Sequence, residues 1–370
     1  MIADAEVLEL HRRIVSIPSI SGNEAEVVAF LDGWLTERGV AVERVGDSLL
    51  SLVGDGPLCL LDTHVDTVPP ASGWSRDPHD VAVDDGKVIG LGANDAKASV
   101  AAMCSAFVAV AKAELPIAIG LALVAGEETD GHGTEEVLAE LERRGRKPVA
   151  AVVGEPTGLD VAVAQKGLLI LELQTTGTSC HAAHGERLGA RNAIRAIARD
   201  LVSIERVDLG DEHPLLGGTT LEPTMIHGGT ARNVIPTDSS VILDLRTTPK
   251  ASHEELVDRI SKAVRGKVNA VSTRLVPRET EDDDPVVRAA VAARPDAKLF
   301  GSATMSDMVF MDRIAAIKVG PGQTDRSHTA DEFVLETEIL EGARFYEALL
   351  RAYAERAWEP SETTSGEVDA

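Results

Sequence analysis

Aromatic residues make up only 3% of the 370-residue chain, so its core has to be largely aliphatic. Cysteine is scarce as well: Cys59, Cys104 and Cys180 are odd in number and sit in apolar or small-residue stretches. They read as reduced packing thiols, not as a disulfide framework. Positive charge is in deficit, with 36 Lys and Arg against 60 Asp and Glu, a formal charge of -24. No Lys/Arg cluster offers the basic face that counterion release requires, which excludes nucleic acid and anionic membrane as expected partners. No apolar run approaches the roughly 18 residues of a membrane span. The chain opens Met1-Ile2-Ala3-Asp4-Ala5-Glu6, acidic where a signal peptide is basic and then apolar. It reads as a soluble, cytoplasmic protein with no internal repeat. The strong negative charge fits solubility or a salt-rich setting.

What is present is a globular composition long enough for two domains. Helical periodicity over 24–38 places Val27, Val28, Leu31, Trp34 and Leu35 on one face, with Gly39 as a stop. The unbroken apolar run Leu58-Cys59-Leu60-Leu61 reads as a strand buried on both faces. An Ala-rich helix over 95–113, a strand over 117–125, an amphipathic helix over 134–144 and a strand over 149–153 follow. Such alternation predicts an α/β fold, a mostly parallel sheet flanked by helices. In such sheets ligands bind beyond the carboxyl ends of the strands, where the polar residues of this chain collect.

From residue 166 the pattern changes to strand (168–176), helix (190–203), strands (225–226 and 241–245), helix (252–264) and strand (270–275). That β-α-β-β-α-β order predicts a ferredoxin-like α+β domain inserted as a lid or dimerisation module. The expected organisation is a catalytic domain in two parts, 1–165 and 279–357, interrupted by the insert at 166–278. The last of these parts ends on a helix over 336–356. Residues 358–370, rich in Pro, Ser, Thr, Gly and acid, predict a disordered tail.

Five polar groups carry the chemistry. In His64-Val65-Asp66, alternate residues of an extended segment point to one side, so imidazole and carboxylate can act together. Alone, the pair is weak evidence, and a satisfied loop histidine is the better reading. The run Gly90-Leu91-Gly92-Ala93-Asn94-Asp95-Ala96-Lys97 lacks the third glycine of a nucleotide loop, and Asp95 would repel phosphate there. As a helix cap Asp95 would be unremarkable. Glu127 and Glu128 sit side by side at a buried strand end, an arrangement that is costly unless cations or a shared proton relieve it. Glu155 follows another apolar strand, and His328 lies in Ser327-His328-Thr329-Ala330-Asp331-Glu332. Each group has a bland alternative as cap, turn or solvated loop. Together they supply two histidines and several carboxylates, a donor set suited to zinc, with no His-Glu-x-x-His or Cys-x-x-Cys to compete.

On these motifs the chain resembles the co-catalytic zinc hydrolases that include aminoacylase, glutamate carboxypeptidase, succinyl-diaminopimelate desuccinylase and acetylornithine deacetylase. The resemblance spans residues 5 to 356. Its most specific pieces are Asp62-Thr63-His64-Val65-Asp66-Thr67-Val68-Pro69, Gly126-Glu127-Glu128-Thr129, Gly154-Glu155-Pro156-Thr157 and His328-Thr329-Ala330-Asp331-Glu332. It implies that His64 and Glu155 hold one zinc, Glu128 and His328 the other, and that Asp95 bridges them. Asp66 would orient His64, and Glu127 would act as general base on a water bridging the two ions, then return the proton to the leaving amine. Cobalt or manganese could fill the same ligands.

In the insert, Gly177-Thr178-Ser179-Cys180-His181 resembles the family segment whose histidine stabilises the tetrahedral oxyanion, in dimeric relatives from the partner subunit. His184 is the nearby rival, and an exposed loop histidine is the bland reading. Asn233 and Arg246 match the family's substrate-binding asparagine and arginine, and a guanidinium can grip an α-carboxylate. Arg246 could equally pair with a neighbouring acid. One departure is Ala98-Ser99, where most relatives carry two glycines. The runs 91–99, 305–307 and 320–332 look most like the acetylornithine deacetylase branch. The resemblance thus implies a homodimeric hydrolase of arginine biosynthesis that removes an acetyl group from an ornithine-like amino acid. N-acetylcitrulline, succinyl-diaminopimelate and peptides are alternative substrates, and a non-catalytic metal-binding scaffold is the rival from another class.

Overall fold

The computed structural model describes residues 2–356, so the tail expected at 358–370 lies outside the described residues. The chain divides into two compact units. The first comprises 2–163, 280–300 and 306–356, the second 164–279 and 301–305.

The first unit is built on four parallel strands in the order Ala118–Val124, Leu58–His64, Ala150–Val153 and Ala315–Lys318. Antiparallel neighbours flank them: Ser48–Val53 pairs with Ala118–Val124, and Val161–Gln165 meets Lys318 through Ala162. The sheet is therefore mixed, with a parallel core. Its two faces carry separate apolar clusters. Cys59 and Leu61 face the side covered by the helices Asp4–Val15, Lys97–Val110 and Glu336–Arg356, while Leu58 and Leu60 face the side of the helix His132–Arg143. This explains why the strand reads as an unbroken apolar run. His64 continues the parity of Leu58 and Leu60 at the carboxyl end of its strand.

Two details of local structure bear on the site. The helix Asp4–Val15 lies in a stretch notable in the sequence only for lacking a targeting signal. Val7, Leu10, His11 and Ile14 form its buried stripe, acids occupy its first turn and arginines its last. The Ala-rich helix begins at Lys97, not 95, and Ala96 occupies its N-cap position with no side-chain cap bond. Asp95 is thus not a helix cap and its carboxylate is released for other partners. Ser99, at the departure from the paired glycines, packs against glycines instead: a Cβ added at Gly154 would come within 2.9 Å of it, and one at Gly320 within 2.5 Å.

The second unit is a four-stranded antiparallel sheet in the order Thr220–Gly228, Asp238–Thr247, Gly167–Thr176, Lys267–Leu275. Leu169, Leu171 and Leu173 alternate inward and pack with Val241, Leu243 and Leu245 under the helices Ala193–Ile204 and His253–Ala263. Asn192 caps the first helix and a Ser252/Glu255 capping box starts the second. The order is the β-α-β-β-α-β pattern of a ferredoxin-like domain. Residues 301–305 join this unit although they lie beyond 278, because the Ser302 carbonyl accepts the Lys166 N–H and Gly301 packs on Leu215 and Leu216.

Candidate metal centre and active site

His64, Asp66, Asp95, Glu127, Glu128, Glu155 and His328 converge at the carboxyl ends of the parallel strands of the first unit. Nδ1 of His64 lies 3.1 Å from the Asp66 carbonyl, which leaves Nε2 facing Asp95 at 3.2 Å and Glu155 at 4.0 Å. Asp95 points its other oxygen, Oδ2, at His328 Nε2, 3.7 Å away. His328 in turn meets Glu128 at 3.0 Å. One carboxylate therefore stands between two imidazoles, each with a further acid beside it. Two sets, His64/Glu127/Glu155 and His64/Asp95/Glu128, offer donor atoms that all lie within 4.8 Å of one another.

Asp66 is fully buried, and its carboxylate does more than face His64, whose Nδ1 is 3.5 Å from Oδ1. Its oxygens accept the peptide N–H groups of Glu127 and Glu128, each at 3.2 Å, and the Ser21 hydroxyl at 2.7 Å. The turn that presents the two glutamates begins at Gly126 with φ +77°, where a Cβ would lie 2.2 Å from the His132 ring.

The electrostatics reflect crowding of acids in a dry site. Burial, reinforced by Glu128, Asp95 and Asp66, pushes Glu127 up to about 7. Burial and the charges of Asp95 and Glu127 push Glu155 well above the usual carboxylate range. Burial alone would lower His64, but hydrogen bonds to Asp66 and Asp95 carry it well above its ordinary value. The Glu128 hydrogen bond lifts His328 to about 9. Carboxylates in this excess must take up protons unless cations neutralise them. The donor set of imidazole and carboxylate, with one acid aimed both ways, fits two divalent ions.

Sequence reasoning assigned no role to a buried pair beside these groups. Asp62 and Asp307 are 0% and 2% exposed, and the Thr134 hydroxyl donates to Asp62 at 3.3 Å. Burial pushes Asp62 up to about 7, and burial together with Asp62 raises Asp307 further from the carboxylate range. Asp62 precedes His64 by two residues on one strand, so alternation was the available signal. Lys318, buried at the end of its strand, was also passed over; burial lowers it while Glu155 opposes that shift.

The second unit holds the remaining candidates. His181 is exposed and starts the 3-10 turn Ala182–His184, with its Nδ1 accepting the Ala183 N–H at 3.2 Å. The ring of His184 is 5.7 Å away. The Asn233 carbonyl accepts the Ala182 N–H, tying the two loops together. Arg246 forks onto Asp244 at 2.9 and 3.2 Å, two residues along the same strand.

A sequence profile describing peptidase family M20/M25/M40 matches residues 60–352. The chain belongs to that family. A succinyl-diaminopimelate desuccinylase of Wolinella succinogenes is 30% identical over 90% of this chain and 97% of its own length. A probable carboxypeptidase of Aspergillus fumigatus is 28% identical over 95% of this chain and 87% of its own. Among solved structures, a dinuclear metal-binding peptidase of the M20 family from Bacillus subtilis superposes with a TM-score of 0.73 at 15% identity, covering 95% of this chain and 99% of that one. The α/β fold is thus that of the M20 peptidases, and the family makes the protein a hydrolase. No helix among the described residues is long and apolar enough to cross a membrane.

Proposed function

We propose that the protein is a two-metal amidohydrolase that cleaves the N-acyl amide of an amino acid whose carboxylate is free. The observation that carries the reading is Asp95, with Oδ1 toward His64 and Oδ2 toward His328 while Glu127 stands in the same donor cluster. His64 and Glu155 would hold one ion, Glu128 and His328 the other, with Asp95 shared. Zinc suits these donors best, and cobalt or manganese can replace it. Bound there, two dications would polarise the amide carbonyl and make water a stronger nucleophile at neutral pH.

Glu127 would take the proton of the attacking water and hand it to the departing amine. Because Nδ1 of His181 accepts a hydrogen bond, its neutral ring carries the proton on Nε2, the form an oxyanion donor needs. Asn233 and Arg246 grip the substrate, with Arg246 exchanging Asp244 for the α-carboxylate.

The named relatives, a succinyl-diaminopimelate desuccinylase and a probable carboxypeptidase, are consistent with cleavage of an amide beside a free carboxylate. The runs 91–99 and 320–332 resemble the acetylornithine deacetylase branch, so N-acetylornithine, a step of arginine biosynthesis, stands first among substrates. We further propose a homodimer formed through the second unit, which a monomeric light-scattering mass at micromolar concentration would contradict. Cys59, Cys104 and Cys180 form no disulfide, and we propose the reducing cytoplasm as the protein's setting.

The test is the initial rate of zinc-loaded protein on N-acetylornithine, N-acetylcitrulline, N-succinyl-diaminopimelate and a dipeptide panel, against a chelated control. Chelator-sensitive turnover of N-acetylornithine above the others is expected. Preference for the succinyl substrate or the dipeptides would move the chain to another branch, and no turnover of any would overturn the deacylase reading.

A further inference from the structure

Asp95 is delivered by a run of turns, residues 91–96, with no regular structure of its own to aim its side chain. Its direction comes from across the site. Glu332, only 2% exposed, accepts the peptide N–H groups of Asn94 and Asp95 on Oε1, each at 2.9 Å, and that of Gly92 on Oε2 at 3.2 Å. Its main-chain carbonyl accepts a fourth, from Gly90, at 3.0 Å. A second clasp lies alongside: the Asn94 amide donates to the Gln323 carbonyl at 3.0 Å and accepts the Gln323 N–H at 2.9 Å. Gly322, at φ +87°, makes room for it, since a Cβ there would sit 2.2 Å from Asn94 Oδ1.

Three N–H groups converging on one buried side chain call for a group with two acceptor oxygens and no donor, which is a carboxylate. A glutamine in its place would satisfy two of them at most and turn an amide N–H against the third. His328 stands four residues before Glu332, at φ +60°, so the segment that clasps the Asp95 backbone also carries Asp95's partner in the 3.7 Å approach.

We propose that Glu332 is the positioning residue of the metal centre. It touches neither ion nor substrate; it holds the backbone of Asp95 so that the two carboxylate oxygens face two different imidazoles. This rests on the two-metal reading above.

The experiment uses the full chain and the Glu332→Gln variant, with folding checked by circular dichroism. Zinc affinity is measured by chelator competition, the cobalt form by its visible absorption, and amide hydrogen exchange on chelator-treated protein. Orienting partners of this kind are worth roughly 10–100-fold in metal affinity. We expect a loss in that range, an altered cobalt spectrum, and faster exchange at Gly92, Asn94 and Asp95. Asp331→Asn, which removes the charge that side chain offers Ser75 and suits the left-handed backbone there, φ +55°, is the control and is expected to keep affinity and protection. Wild-type affinity and protection in Glu332→Gln would overturn the proposal, as would an equal loss in Asp331→Asn. If Glu332→Gln does not fold, Glu332→Asp, which withdraws the carboxylate by one methylene, carries the same expectations in smaller measure and the same overturning results. A wild-type protein that binds no metal pair would sink the two-metal reading instead, and the exchange measurement would still decide the role of Glu332.

Discussion

His328 Nε2 stands 3.0 Å from the Glu128 carboxylate, a separation that in the metal-free protein needs a proton between the two. The same holds for His64 Nε2 against Asp95, and its Nδ1 is already committed to a carbonyl, so both ring nitrogens face acceptors. Without metal, the proposed ligands hold one another through protons, with His328 lifted to about 9 and His64 well above its ordinary value. Metal uptake at pH 7.5 is therefore expected to release protons from both histidines together with those the crowded carboxylates carry. Calorimetric titration in buffers of different ionisation enthalpy measures the number released. Uptake with no proton release would show that protons do not hold these groups together in the metal-free protein.

Glu127→Gln keeps the shape of the site and removes the base proposed for it. Turnover is expected to fall by about 10²–10⁴-fold while two metals remain bound. Glu127 is pushed up to about 7 by burial and its neighbouring acids, and two dications draw it down again. The rate of the wild-type enzyme should thus fall as pH drops through a value below 7, where the base becomes protonated. An unchanged rate in the variant would assign the proton transfer elsewhere.

His181→Ala should lower kcat strongly with little change in metal content, because the residue belongs to a different unit from the ligands. Arg246→Lys should raise KM instead, since an ammonium cannot fork onto a carboxylate. A kcat that is indifferent to His181→Ala but sensitive to His184→Ala would exchange the two assignments.

His11 is buried with Nε2 donating to the Ala93 carbonyl at 2.8 Å, and burial lowers it to about 4. The unfolded chain takes a proton near 6.5 that the native protein refuses until about 4. Stability from this residue is therefore full above 6.5 and lost as pH falls toward 4, by about 3 kcal/mol in all. The melting temperature of His11→Gln should fall less steeply over that window than the wild type. Parallel slopes would show that other groups carry the acid sensitivity.

The apolar runs around Leu58–Leu61 and 117–125, and the change to alternation after residue 166, determined the layered α/β unit and the inserted sheet without any tertiary information. Burial on two faces and on one face leave different local patterns. The ligand motifs were legible for a related reason: a strand end leaves little freedom, so His64, Glu127, Glu128 and Glu155 had to emerge at one edge. Contacts far apart in sequence leave no such trace. Nothing near Glu332 announces that it holds Asp95, and nothing near Asp66 announces the Glu127 and Glu128 amides, because a hydrogen bond carries no periodicity along the chain. The pairing of Asp62 with Asp307 and the release of Asp95 from its helix cap were likewise decided only when the strands and turns came together. The kinds of donors in the centre are a property of the sequence; the direction in which each one points is a property of the fold.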